Sequence, residues 1–232
     1  MKRKTIEVLM AVILLVSAIV VGRQGSIAVI SMKSEKQKPV VVIDAGHGGN
    51  DPGKVGINNA LEKDINLSIA MLLKTMLEAE DIEVVMTREE DAGLYDENSK
   101  NKKAQDMKRR CELISKTNPT VAVSIHQNSY HEEYVNGAQV FYFKHSSAAK
   151  DLAEIIQNQL RTHIQPNNNR AAKTNTSYYL LKKTDATMVI VECGFLSNYE
   201  EASKLVDENY QQKLAWAIHL GILQYINGEG KK

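Results

Sequence analysis

The sequence predicts an α/β fold, a mostly parallel mixed sheet covered by helices on both faces within a single domain. Short runs of β-branched and aromatic residues alternate with helix-period patterns from residue 39 to residue 227. These runs are apolar at successive positions rather than at every second one, which is the mark of strands buried on both faces and so of a largely parallel sheet. A length of 232 residues, 43% hydrophobic and 25% charged with 13 Gly and 4 Pro, suits a globular chain with a generous core.

The first strand reads Val40-Val-Val-Ile43 and opens into the glycine-rich stretch Asp44 to Gly53. Ile65, Ile69, Leu72, Leu73, Met76 and Leu77 recur at helical spacing and predict a helix over Lys63 to Glu80, with Glu62 at its start. Glu83 to Met86 gives a second strand. The charged segment Asp91 to Lys103 follows, either a solvated loop or one wall of a substrate cleft. Val121 to Ile125 forms a third strand that runs straight into His126, and Gln139 to Phe143 forms a fourth. Ser146-Ser-Ala-Ala is a helix-start signal, continued by Leu152, Ile155, Ile156 and Leu160. Met188 to Val191 makes a further strand ending at Glu192, and Leu214, Ile218, Ile222 and Leu223 place the last helix over Tyr210 to Ile226.

Ahead of this domain lies a different kind of segment. Lys2, Arg3, Lys4 and Arg23 against Glu7 give residues 1–31 a net of +3, which leaves −2 on the rest of a chain whose total is +1. Behind the basic start, Val8 to Gly22 is a run of fifteen uncharged, mainly apolar residues. That is the pattern of a signal peptide or N-terminal membrane anchor, with the domain outside the cytoplasmic membrane. Polar residues 32–38 read as a linker, 39–227 as the folded domain and 228–232 as a tail. The near-balanced charge excludes a strongly basic nucleic-acid binder. Cys111 and Cys193 are compatible with a disulfide or with two thiols, and the apolar run before Cys193 favours a buried thiol there.

In an open α/β sheet, ligands bind beyond the carboxyl ends of the strands. Three predicted strands end in groups able to bind a metal or move a proton: the first leads to His47, the third to His126 and the late one to Glu192. Glu62 joins them at a helix start, where an acidic residue also serves a first turn without further purpose. His47, Glu62 and His126 form a two-histidine, one-carboxylate set, the number of protein ligands catalytic zinc takes, and Glu192 is then free to act as a general base. Gly46, Gly48, Gly49 and Gly53 allow sharp turns and leave room beside such a metal. Of the remaining histidines, His131 and His145 follow strands near the site edge but read as loop and capping residues, while His163 and His219 sit on helices.

Five ordered motifs, Val41-Val-Ile-Asp-Ala-Gly-His-Gly-Gly-Asn-Asp-Pro-Gly53, Leu61-Glu-Lys63, Met86-Thr-Arg88, Ser124-Ile-His-Gln-Asn128 and Val191-Glu-Cys-Gly-Phe-Leu-Ser-Asn198, resemble those of zinc-dependent N-acetylmuramoyl-L-alanine amidases. The resemblance spans residues 39–226. It implies one zinc per chain on His47, Glu62 and His126, with Glu192 as the catalytic residue. Arg110 falls where the family commonly has an arginine, while Ser115 replaces a usual asparagine and Asp185-Ala-Thr187 stands where a proline commonly precedes the last strand. Arg110 and Asn128 are expected beside the site, toward substrate or behind the ligands.

The stretches Asn167 to Asn175 and Tyr178 to Lys182 are most similar to germination-specific, CwlD-like amidases of spore-forming bacteria. That likeness implies a peptidoglycan substrate, a part in forming muramic-δ-lactam of the spore cortex, a location on the forespore or cortex side, and a lipoprotein partner that regulates activity or zinc binding. The connection from Asn128 to Gly137 is too short for a blocking helix over the site. Two other readings share these residues: a different peptidoglycan-directed zinc hydrolase, such as a peptidase or deacetylase, and a wall-binding module without activity.

Overall fold

The computed structural model describes residues 8, 10, 12–21 and 38–228. The chain divides into two units, residues 1–38 and 39–232. In the first unit, residues 12–21 are helical and exposed. Most of the expected export segment and linker, and residues 229–232 of the tail, lie outside the described residues. Among the described residues no helix is long and apolar enough to cross a membrane.

The second unit is built on six strands, β1 (Val40–Ala45), β2 (Glu83–Met86), β3 (Val121–Asn128), β4 (Gln139–Phe143), β5 (Lys173–Asn175) and β6 (Met188–Phe195), in the spatial order β2-β1-β3-β6-β4-β5. All neighbours are parallel except β4 and β6, so the sheet is mixed and mostly parallel as expected. The described residues of this unit add helices α1 (Glu62–Ala79), α2 (Lys102–Thr117), α3 (Ser147–His163), α4 (Tyr179–Lys183), α5 (Tyr199–Leu205) and α6 (Glu208–Ile226).

Strand alternation sorts the apolar residues onto two faces. Val41, Ile43, Val121, Val123, Ile125, Val189 and Val191 pack with Ile69 and Leu73 of α1, Leu152 and Ile156 of α3, and Leu214 and Ile218 of α6. Their neighbours in sequence, Val42, Ala122, Met188 and Ile190, turn to the other side with Phe141 and meet Cys111 and Ile114 of α2 and Leu180 and Leu181 of α4. Both faces are therefore covered, and the first three residues of β1, β3 and β6 are all apolar.

Helix starts follow capping chemistry. Asn101, Ser146, Asn198 and Asp207 each accept a hydrogen bond from a first-turn N–H of α2, α3, α5 and α6. Helix α1 has no such side chain. Instead the N–H groups of Glu62 and Lys63 donate to the Lys54 and Pro52 carbonyls, so backbone hydrogen bonds fasten the loop after β1 to the start of α1.

Two strands run further than the sequence suggests. His126 and Glu192, expected just past the strand ends, lie inside β3 and β6 as direct register partners, with an irregularity in the ladder between His126 and Asn128. Strand β5 was not expected at all, since Lys-Thr-Asn at a sheet edge carries no apolar pattern.

Candidate metal centre and active site

Alternation along the strands also builds the site. Asp44 pairs with Ser124, and His126 with Glu192, on the face that carries Val42, Ala122 and Ile190. Once the apolar positions of this face end, the same side of the sheet presents a polar row at its carboxyl edge, where α/β sheets bind ligands.

His47 leaves β1 on a loop in the left-handed region, with φ +63°. A residue with a Cβ holds that conformation only when its surroundings fix it. Here two buried arginines do so through backbone carbonyls. Arg110 donates from Nη2 to His47 O at 2.7 Å and from Nη1 to Ala45 O at 2.8 Å, while Arg88 donates from Nε to Ala45 O at 2.9 Å and from Nη2 to Gly46 O at 3.1 Å. Arg88 Nη2 also reaches Lys63 O at 2.8 Å, which ties the loop to α1. The charged segment expected as loop or cleft wall serves this loop too: Asp91 accepts from Gly49 N and Lys63 Nζ, and Tyr95 Oη accepts from Asn50 N.

Glu62 is 2% exposed, so it is no solvated first-turn charge. Its Oε1 accepts from Gln127 N at 3.0 Å and lies 2.9 Å from His126 Nδ1; its Oε2 accepts from Lys54 N at 2.8 Å and lies 3.3 Å from His47 Nε2. Burial alone would push this carboxyl up, but the two histidines hold it far below the usual carboxylate range. Asp51 Oδ2 sits 3.0 Å from His47 Nδ1, which leaves Nε2 as the nitrogen turned toward Glu62. Desolvation pulls the partly buried His126 down, but the same Glu62 holds it above its ordinary value.

His47, Glu62 and His126 could hold a metal ion: each offers one nitrogen or oxygen atom, and these atoms lie within 4.8 Å of one another. Two glycines make that approach sterically feasible. A Cβ on Gly46 would stand 2.3 Å from Cε1 and Nε2 of His126, and one on Gly53, whose φ is +68°, would stand 2.5 Å from Glu62 Oε2.

Glu192 faces the same cavity from β6 and is 7% exposed. Its Oε1 accepts a 3.4 Å hydrogen bond from Tyr178 Oη, while Oε2 is buried with no partner among the described residues. Burial, joined by the Glu62 charge, raises its carboxyl above the ordinary value, with His126 acting against it. The cavity measures about 510 Å³, and Lys54, Lys103, Met107, Asn128 and Tyr178 contribute to its lining.

Arg110 and Asn128 are placed differently from each other. Arg110 also borders the cavity but is 1% exposed, with its guanidinium engaged by Asp44, Asp106 and two backbone carbonyls. Asn128 lines the cavity, with Oδ1 accepting from Ser129 N. His131, His145 and His163 are exposed, and His219 is buried on α6, so none joins the cluster. Both cysteines are free and buried.

Several supporting residues escape a reading of the sequence. Asn66, fully buried one turn after Glu62, donates to Gly46 O at 3.0 Å and accepts from Gln127 Nε2 at 3.1 Å, and so links all three ligand-bearing segments. Its i+4 spacing from Glu62 was the available signal. Asp44 and Tyr178 fall within the motifs quoted above, but what they touch lies elsewhere in the chain.

An open α/β sheet with two histidines and a carboxylate converging at its carboxyl edge, and a separate buried glutamate in the same cavity, defines the class of metal-assisted hydrolases. Comparison with known proteins gives the family. Residues 41–224 match the N-acetylmuramoyl-L-alanine amidase family, and the chain belongs to it. It is 36% identical over 194 residues to the germination-specific N-acetylmuramoyl-L-alanine amidase of Bacillus subtilis, covering 82% of this chain and 81% of that one. Among solved structures it resembles the CwlD amidase from Clostridioides difficile in complex with the GerS lipoprotein, with TM-score 0.80 and 40% identity over 82% of this chain and all of the other. It also resembles the amidase AmiC2 of Nostoc punctiforme, with TM-score 0.73 and 33% identity over 83% and 99% of the two chains.

Proposed function

We propose that this amidase cleaves the bond between the lactyl carbonyl of N-acetylmuramic acid and the L-alanine of the stem peptide with one zinc ion, held by His47, Glu62 and His126, and with Glu192 as general base and then general acid. The donor set fits the ion: two imidazoles and one ionised carboxylate converge within 4.8 Å, with Glu62 fixed by backbone donors of two different segments. Zinc supplies Lewis acidity, polarising the scissile carbonyl and making water easier to deprotonate.

The observation that carries the reading is the unpartnered Oε2 of Glu192, on a residue in direct register with His126. Oε2 takes the proton from the attacking water and returns it to the alanine nitrogen as that amine leaves. A carboxyl raised by burial suits both halves of the exchange. Asp51 orients His47, and Asn128 stands at the cavity wall, where its amide meets substrate.

The substitution Glu192→Ala tests this. Zinc content stays at one per chain, while release of stem peptides with a free alanine amine, followed by mass spectrometry of digested peptidoglycan, is lost. Retained turnover overturns the assignment, and products cut within the peptide or at the acetyl group indicate a peptidase or deacetylase instead.

The biological reading follows the relatives. Likeness to a germination-specific amidase supports action outside the cytoplasmic membrane on spore cortex, where peptide removal precedes formation of muramic-δ-lactam. A relative solved with a lipoprotein supports a partner of that kind for this chain. Cortex from cells lacking this enzyme is expected to contain no muramic-δ-lactam, and normal lactam content rejects the cortex role.

A further inference from the structure

We infer that Tyr178 is a positioning residue for the reaction, holding Glu192 so that Oε1 is occupied and Oε2 is left to exchange the proton. The inference rests on the role given to Glu192 above. Among the described residues, Tyr178 Oη is the single hydrogen-bond donor to the Glu192 side chain, at 3.4 Å, and it reaches Oε1 only. A carboxylate on a freely rotating side chain presents either oxygen; one tethered by a hydroxyl presents the other.

The tether is itself built to hold still. Asn175 ends the edge strand β5, whose neighbour is β4, and its Oδ1 accepts from Ser177 N at 2.8 Å, Ser177 Oγ at 3.1 Å and Tyr178 N at 2.8 Å. That side-chain turn sets the backbone from which the Tyr178 ring projects. The ring then meets Phe141 of β4 edge-on, at 5.5 Å between centroids. Phe141 pairs across the ladder with Ile190, which shares a strand face with Glu192 two residues on. Backbone anchor, ring contact and hydroxyl therefore converge on one carboxylate oxygen. A 3.4 Å separation is long for such a bond, and bonds of this kind tighten when substrate is in place.

The test is Tyr178→Phe in the full chain loaded with zinc, which deletes the hydroxyl and keeps the ring against Phe141. The expected result is a kcat about tenfold lower with KM unchanged, and with zinc stoichiometry and thermal midpoint as in the wild type. The paired test uses Glu192→Asp, whose shorter side chain withdraws from the hydroxyl and still carries a base. Adding Tyr178→Phe to that variant is expected to cost nothing further. An unchanged kcat in Tyr178→Phe overturns the inference, as does an equal tenfold loss in both backgrounds, which assigns the hydroxyl to substrate instead. Failure of the underlying reading looks different, since Glu192→Ala then remains active.

Discussion

Replacing Arg110 by leucine tests how the ligand loop is held. Arg110 lies 2.6 Å from both Asp44 Oδ1 and Asp106 Oδ2, and among the three Asp44 is the most deeply enclosed, fully buried beneath the site. Burial alone raises the Asp44 carboxyl, yet the Arg110 charge and the hydrogen bond from Ser124 Oγ bring it from 3.8 down to about 2. A shift of that size corresponds to roughly 2–3 kcal/mol in favour of the ionised folded form. Leucine leaves that carboxylate buried without its cation, and breaking one side of a buried pair costs about 3–5 kcal/mol. With a urea slope of about 2 kcal/mol per molar for a domain of this size, the unfolding midpoint falls by roughly 2 M.

The pH dependence separates this cause from loss of packing. In the wild type the folded-state value of Asp44 is depressed, so its contribution is present above about pH 4 and is lost as pH falls toward 2. Without Arg110 burial dominates and the folded-state value rises above the unfolded one, so the variant loses stability as pH climbs from 4. The gap between the two proteins is therefore small near pH 3 and widens toward pH 6. Urea unfolding of zinc-free protein at several pH values measures it, and adding Asp44→Asn to the variant should recover most of the loss at neutral pH. A deficit under about 1 kcal/mol, or one independent of pH, refutes the account.

Three further outcomes follow from the same geometry. Gly46→Ala drives a Cβ into the His126 ring and should weaken zinc binding by about 10- to 100-fold, read by competition with a chromophoric chelator, with little change in zinc-free stability. Zinc at a thousand times its dissociation constant should stabilise the protein by about 4 kcal/mol in thermal unfolding, and His47→Ala should abolish that increment. Glu201→Ala removes a buried carboxylate that accepts from Gly137 N, Phe195 N and Gln165 Nε2, and should cost roughly 3 kcal/mol in urea unfolding while zinc stoichiometry is kept.

What the sequence revealed and what it concealed follow from range. Strand cores such as Val121 to Ile125 announce themselves because both faces bury apolar side chains, and helices α1, α3 and α6 because their apolar residues repeat every turn. The ends of β3 and β6 were hidden because His126, Asn128 and Glu192 look like residues leaving a sheet, whereas they remain in the ladder and turn toward a cavity. His47, His126 and Glu192 stand out because each follows a predicted strand, and Glu62 because it opens a predicted helix; the structure brings all four to one cavity. The contacts of Asp44, Asn66, Arg88 and Tyr178 do not show in the sequence, because their partners, among them Arg110, Gln127 and Gly46, lie far off in the chain.

That division reflects how the site divides its labour. The strands supply precision: ladder register fixes the backbone positions of His126 and Glu192 opposite one another. The loop and helix ligands have no register, so His47 and Glu62 are fixed instead by an excess of hydrogen bonds from Arg88, Arg110, Lys54 N and Gln127 N. Most of those bonds run to backbone atoms, which substitutions elsewhere do not remove. Glu192 differs from the other three. Register fixes its Cα, but its carboxylate must give and take a proton, and a group caged by many donors would hold its charge too firmly to do so. One long hydrogen bond from Tyr178 and one open oxygen suit the proton exchange proposed for it.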